Sequence, residues 1–280
     1  MRPEVLGVVG LGAIGGSVAW RAAQAGVPRI VGYSPLPAEG VAALRAGAIT
    51  EVAERPQRVV ETADLVVLAA PPAANLRLLR ELQGDLLRRG RLCTDVTSVK
   101  RPVIELAERL GLESVFAGSH PLAGTHESGF AAARASMLEG AVVYVTPLIR
   151  GERAGEEVAD FWSVVCGAHP VTCDAAEHDG VLAWTSHLPQ AVSSALAAAL
   201  ARAGPKAVTV GPGARDTTRL AASDPQLWHD VLLLNREALL GALDAVEGEL
   251  GRLRHALTTG DGAELTAWLE TGRAWRRRLP

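Results

Sequence analysis

The chain has 280 residues, 48% of them hydrophobic and 21% charged, with a formal net charge of −3. That balance fits a folded chain of about two domains and excludes a disordered one and a basic nucleic-acid binder. No run approaches the ~20 apolar residues of a bilayer-spanning helix, so no membrane association is expected. Cys93, Cys166 and Cys173 lack metal-ligand spacing and read as buried, reduced thiols, which points to the cytoplasm and to no metal site.

Val5–Val9 is a short, continuous apolar run, the pattern of a strand buried on both faces of a parallel sheet. Gly10-Leu11-Gly12-Ala13-Ile14-Gly15 follows directly and opens a helical pattern through Val18, Ala19, Ala22 and Ala23. Strand, GxGxxG and helix in that order make the glycines informative. Gly10 permits the tight turn, Gly12 lets a pyrophosphate approach the backbone, and Gly15 lets the helix pack closely on the strand. The helix N-terminus then offers free N–H groups to the phosphates, so Leu11, Ala13 and Ile14 join the glycines as the expected dinucleotide-binding loop. The second strand, Arg29–Tyr33, ends at Ser34, where an acidic residue normally grips the adenosine ribose. Serine removes a charge that would repel a 2′-phosphate, yet no arginine follows to bind one. NAD is the expected cofactor and NADP stays open.

A helix over residues 37–47, a strand over 49–52, a buried strand over 65–70 stopped by Pro71-Pro72, a helix over 75–88 and a strand over 91–96 continue the pattern. In a doubly wound sheet the carboxyl ends of such strands face the ligand crevice, which places Pro71 against the cofactor and Ser98 and Lys100 at the crevice edge. Ser98 reads either as a ligand-facing hydroxyl or as the N-cap of the next helix, and one residue can serve both roles. The run over 114–117 brings His120 to the end of a sixth strand. A polar, glycine-flanked loop over 118–130 follows, carrying Thr125, His126, Glu127 and Ser128. A seventh strand covers 141–145.

Around residues 147–153 strands give way to alanine- and leucine-rich helical spacing, so the expected boundary separates a dinucleotide-binding unit, 1–150, from a helical unit, 151–280. Residues 181–202 are apolar nearly all round, as in a helix buried on several sides. Pro189 cannot donate to the Thr185 carbonyl, so this helix must bend or loosen there. Ser186-His187 at the kink is costly without partners; the histidine either bonds the freed carbonyl or serves a ligand. Arg219, after the glycine-rich stretch from Gly211, is a carboxylate clamp or the partner of Asp216, and Ser223-Asp224-Pro225 opens another helix. Leu239, Leu243, Val246, Leu250, Leu253 and Leu257 alternate steps of four and three, a seam for helix pairing within or between subunits.

These motifs together resemble the prephenate dehydrogenase family of tyrosine biosynthesis, which includes arogenate dehydrogenases. Residues 10–17 resemble its cofactor loop, 95–100 its serine motif, 118–129 its histidine motif, and 186–189 with 216–225 its two substrate segments. The resemblance implies an α/β chain: an N-terminal Rossmann-like domain, then an all-helical dimerisation domain, forming a homodimer that oxidises prephenate or arogenate with NAD or NADP. It implies that His120 takes the proton of the ring C4 hydroxyl with Ser98 beside it. It also implies that His187, Arg219, Thr125, Ser186, Asp216 and Trp228 bind the substrate. His126 stands where the family often has an acidic residue, which bears on any gating ion pair with Arg219, and Gln190 stands where a second histidine is common. The alternatives are a two-domain reductase of small hydroxy acids or imines, which usually has lysine where His187 stands, and a non-catalytic dinucleotide-sensing dimer. Ser98, His120 and Arg219 weigh against the sensor.

Overall fold

The structure is a computed structural model that describes residues 2–124, 127–204 and 209–279. Eight strands form one sheet: β1 (Val5–Val9), β2 (Arg29–Tyr33), β3 (Glu51–Val52), β4 (Leu65–Leu68), β5 (Leu92–Asp95), β6 (Phe116–Pro121), β7 (Val142–Pro147) and β8 (His169–Thr172). Between them run α1 (Ala13–Gln24), α2 (Pro37–Ala46), α3 (Pro56–Thr62), α4 (Pro72–Arg89), α5 (Arg101–Arg109) and α6 (Glu152–Val164). The spatial order is β3-β2-β1-β4-β5-β6-β7-β8, and every neighbouring pair is parallel except β6 with β7.

Side chains alternate across each strand, so Leu6, Val8, Leu65 and Val67 enter one core with α1 and α6. Val9, Val66 and Leu68 enter the other, with α3, α4 and α5. Because both faces are covered, the inner strands are written as unbroken apolar runs. Strand order reverses direction between β1 and β4, which opens a crevice at the carboxyl ends of these two strands.

The sheet does not end at residue 150, as the sequence suggested. β8 pairs with β7 from Val142 opposite His169 to Val145 opposite Thr172, and α6 sends Phe161 and Trp162 into the core beneath. This strand escaped notice for a physical reason. It lies at the sheet edge, three of its four residues are exposed, and Pro170 interrupts any β pattern. The position of His120 also differs: it lies within β6, opposite Tyr144, because antiparallel pairing with β7 carries the strand on to Pro121.

Helices follow: α7 (Ala175–Leu182), a π-helical turn over Ala183–His187, α8 (Leu188–Ala203), α9 (Pro212–Thr217), α10 (Pro225–Leu234), α11 (Arg236–Thr259) and α12 (Gly262–Arg276). Near one end of α11, Leu239 packs with Leu188 and Ala242, and Leu243 and Val246 lie against them. Further along the same seam, Leu250 and Leu257 are 56% and 62% exposed. Among the described residues no helix is long and apolar enough to cross a membrane, and no cluster of side chains is arranged to hold a metal ion.

Candidate active site

The glycine loop joins β1 to α1. Gly10 has φ +102°, and a Cβ there would lie 2.6 Å from the Ala69 carbonyl group; a Cβ on Gly15 would lie 1.9 Å from the Gly10 carbonyl oxygen. Both glycines are therefore required by the protein's own packing. Gly12 is different, since a Cβ there would meet nothing within 4 Å, and as N-cap of α1 it supplies no side-chain acceptor. The space in front of Gly12 and the unfilled amides of the helix N-terminus fit a pyrophosphate. Gly10, Leu11, Gly12, Ser34 and Pro71 line a cavity of about 580 Å³ with Tyr33, Glu39 and Arg77, while Ala13, Ile14 and Gly15 form the first turn of α1 behind it. Pro71 is held in place by buried Asn75, whose Nδ2 donates to the Leu68 carbonyl (3.0 Å) and whose Oδ1 accepts from the Ala70 amide (3.1 Å).

The loop after β5 is fastened from below. Lys100, fully buried, donates through Nζ to both oxygens of Asp95 (2.7 and 2.6 Å) and to the Ser119 carbonyl (2.7 Å). Asp95 in turn accepts from the amides of Thr97 and Ser119. Burial lowers the basicity of Lys100, and the facing Asp95 carboxylate opposes that. These bonds fix the backbone on either side of Ser98 and just before His120. Ser98 is not the N-cap: that position is Lys100, and the first amides of α5 are capped from elsewhere.

The cap is Asp179 of α7. Its Oδ1 accepts from the Lys100 amide (2.7 Å) and its Oδ2 from the Arg101 amide (2.9 Å). Asp179 Oδ1 also lies 2.7 Å from His178 Nδ1, and His178 Nε2 lies 2.9 Å from His120 Nδ1. A carboxylate only accepts, so His178 carries its proton on Nδ1; with both rings neutral, its Nε2 accepts from His120 Nδ1–H. The remaining lone pair is then on His120 Nε2. Burial, followed by the neighbouring His178, Lys100 and His187, holds the His120 pKa well below the usual histidine value, so the ring is a neutral base near pH 7. No hydrogen bond joins Ser98 to His120 among the described residues. His178 and Asp179 were missed in the sequence because Glu177-His178-Asp179 reads as an ordinary polar first turn.

The kinked helix loosens as a π turn at Ala183–His187, one turn before Pro189, with the Leu188 amide bonded to the Ala183 carbonyl. His187 is fully buried, its pKa is pushed down to about 4 by that burial, and its ring lies edge-on to Trp228 at 6.1 Å between centroids. Asn235 donates from Nδ2 to His187 Nδ1 (2.9 Å) and to the Asp179 carbonyl (2.8 Å). That leaves the proton of neutral His187 on Nε2, where the buried N–H has no partner. Ser186, in the same turn, is half-buried. Arg219 and Asp216 are exposed and form no ion pair with each other among the described residues. The segment carrying Arg219 is pinned to α8 by Gln190 Nε2 to the Leu220 carbonyl (2.9 Å) and by the Ala221 amide to Ser193 Oγ (3.2 Å). Thr125 and His126 lie outside the described residues.

A dinucleotide crevice with a neutral, oriented histidine at the same end of the sheet defines a nicotinamide-dependent oxidoreductase. The family model for "Prephenate dehydrogenase, nucleotide-binding domain" matches residues 21–172, and that for "Prephenate dehydrogenase, dimerization domain" matches residues 174–271. The prephenate dehydrogenase of Bacillus subtilis is 33% identical over all of this chain and 77% of its own length. The cyclohexadienyl dehydrogenase of Zymomonas mobilis is also 33% identical, over 92% of this chain and 89% of its own. A crystal structure of Aquifex aeolicus prephenate dehydrogenase with hydroxyphenyl propionate and NAD+ superposes with a TM-score of 0.88 at 30% identity, over 99% of this chain and 98% of that one. The chain belongs to the prephenate dehydrogenase family.

Proposed function

We propose that this chain is an NAD-dependent prephenate dehydrogenase, converting prephenate to 4-hydroxyphenylpyruvate and carbon dioxide. The observation that carries the reading is the chain His120–His178–Asp179 at the carboxyl end of β6, the end of the sheet at which the dinucleotide crevice opens. Bound NAD supplies the hydride acceptor. His120 accepts the proton of the C4 hydroxyl at Nε2 as hydride leaves C4, and His178 with Asp179 stabilises the imidazolium that forms. The ketone produced at C4 is conjugated with the two ring double bonds, whose far ends flank the saturated ring carbon that bears the carboxylate. The electrons of the bond from that carbon to the carboxylate therefore pass through the ring to the C4 oxygen as carbon dioxide departs, the oxygen takes back a proton, and aromatisation makes the step irreversible. The residues' task is to align C4 and to hold a dianion.

Ser98 donates to the C4 oxygen, and His187 offers its unpaired Nε2–H to a substrate carboxylate. Arg219 takes the side-chain carboxylate by its fork, with Ser186, Asp216 and Trp228 bounding the pocket. Arogenate is the second reading, and Gln190 favours it: its buried Oε1 has no partner and suits an ammonium group. A homodimer is supported by the open half of the α11 seam, with Leu269 and Trp275 of α12 also exposed. Free Cys93 and Cys166, whose thiols burial pushes up, suit a reducing cytoplasm. The test follows reduced-nicotinamide absorbance with prephenate or arogenate crossed with NAD or NADP. Turnover with prephenate and NAD is expected; no turnover in any combination by folded, cofactor-binding protein would overturn the assignment.

A further inference from the structure

The residue after β2 is the natural place for cofactor discrimination, and here it carries no charge. Ser34 Oγ instead donates to Glu39 Oε2 at 2.6 Å and accepts from the Leu36 amide at 3.2 Å. Glu39 stands in the first turn of α2, which begins at Pro37, so its carboxylate reaches back about one turn to the end of β2. A Cβ placed on Gly129 would lie 3.3 Å from its other oxygen, so the carboxylate sits between Ser34 and the segment that returns from His120. Glu39 forms no ion pair among the described residues, although its side chain is half-buried and lines the same cavity as Gly10, Gly12 and Ser34. The charged residues lining that cavity are Arg77 of α4 and two carboxylates, Glu39 and Glu81.

We propose that Glu39 selects NAD over NADP, supplying from α2 the negative charge that Ser34 lacks. A carboxylate accepts hydrogen bonds from the ribose hydroxyls and repels a 2′-phosphate; Ser34 holds it in register. The proposal rests on NAD as the cofactor assigned above. The experiment measures direct binding of NAD and NADP, by calorimetry on the full chain without substrate, to the wild type, to Glu39→Gln and to the double variant Ser34→Asp, Glu39→Gln. The wild type is expected to bind NAD at least about tenfold more tightly than NADP. Glu39→Gln should bring the two within about threefold, chiefly by strengthening NADP, and the double variant should restore the preference because the charge returns at position 34. An unchanged ratio in Glu39→Gln would overturn the proposal. So would NADP binding the wild type as tightly as NAD, the result expected if Arg77 received the 2′-phosphate. Failure of the wild type to bind either nucleotide would instead refute the cofactor assignment beneath it.

Discussion

Replacing Asp179 with asparagine tests the proton geometry most directly. The carboxylate receives three hydrogen bonds, from the amides of Lys100 and Arg101 and from His178 Nδ1. An asparagine has one acceptor oxygen and one NH2 group. If the NH2 faces His178, that ring must accept at Nδ1 and donate from Nε2, which forces the His120 proton onto Nε2 and removes the base. In either orientation one backbone amide at the start of α5 loses its acceptor, that of Lys100 if the NH2 replaces Oδ1 and faces His178 and that of Arg101 if it replaces Oδ2, at a cost of about 1–3 kcal/mol to folding. The expected result is a fall in kcat of about 100- to 10,000-fold, the range for losing a positioned general base. NAD affinity should stay within about twofold, since the cofactor loop lies on a different part of the sheet. The assay is steady-state turnover of prephenate across pH, beside direct NAD binding and a denaturant melt. A variant that melts like the wild type and keeps more than about a third of its kcat would refute the relay.

The glycine loop gives a paired prediction: Gly15→Ala should fail to fold or lose most of its stability, whereas Gly12→Ala should melt with the wild type and lose cofactor affinity. Nucleotide titration and thermal melts separate the two, and a Gly12→Ala protein binding NAD normally would contradict the open-space argument. For His187 the folded pKa, about 4, lies below the ordinary value of 6.5, so between them the unfolded chain binds a proton that the native state refuses. Stability is complete above about pH 6.5 and declines by about 3 kcal/mol as the pH falls toward 4; His187→Gln should flatten this part of the dependence in urea titrations, and equal slopes would count against it. The lowered pKa of His120 acts in the same sense, placing the acid limb of kcat/KM below that of an ordinary histidine. Finally, Leu257→Glu on the open half of α11 should convert a dimer to monomer in light scattering while leaving NAD binding intact; an unchanged mass would move the interface elsewhere.

Some of this was legible because local pattern and tertiary environment agree. β1 and β2 occupy the same residues in sequence and structure because both faces of each are covered. Gly47 ends α2 with φ +80°, and Asp224 caps α10 ahead of Pro225, each visible as a single letter with one physical use. The site was legible only where a motif is contiguous. His178 acts on a residue 58 positions away, and Asp179 caps a helix 78 and 79 positions before it. Nothing in a polar helix start distinguishes such a role from contact with water. Glu39 was invisible for a related reason, since the selector position is read at the strand end and the charge arrives from the following helix.

Asp179 belongs to the second family segment, yet two of its hydrogen bonds are to the backbone of the first. Cutting the chain at the seam between the segments would therefore separate the base from the groups that orient it. A nucleotide-binding fragment ending at Thr172 would retain His120 with its imidazole free to rotate and to protonate at either nitrogen. Exchange of whole domains between relatives is accordingly constrained: a chimera stays coherent at the base only if residues 175–182 travel with the partner whose α5 they cap. The transferable unit of this fold therefore runs one helix past the end of the sheet.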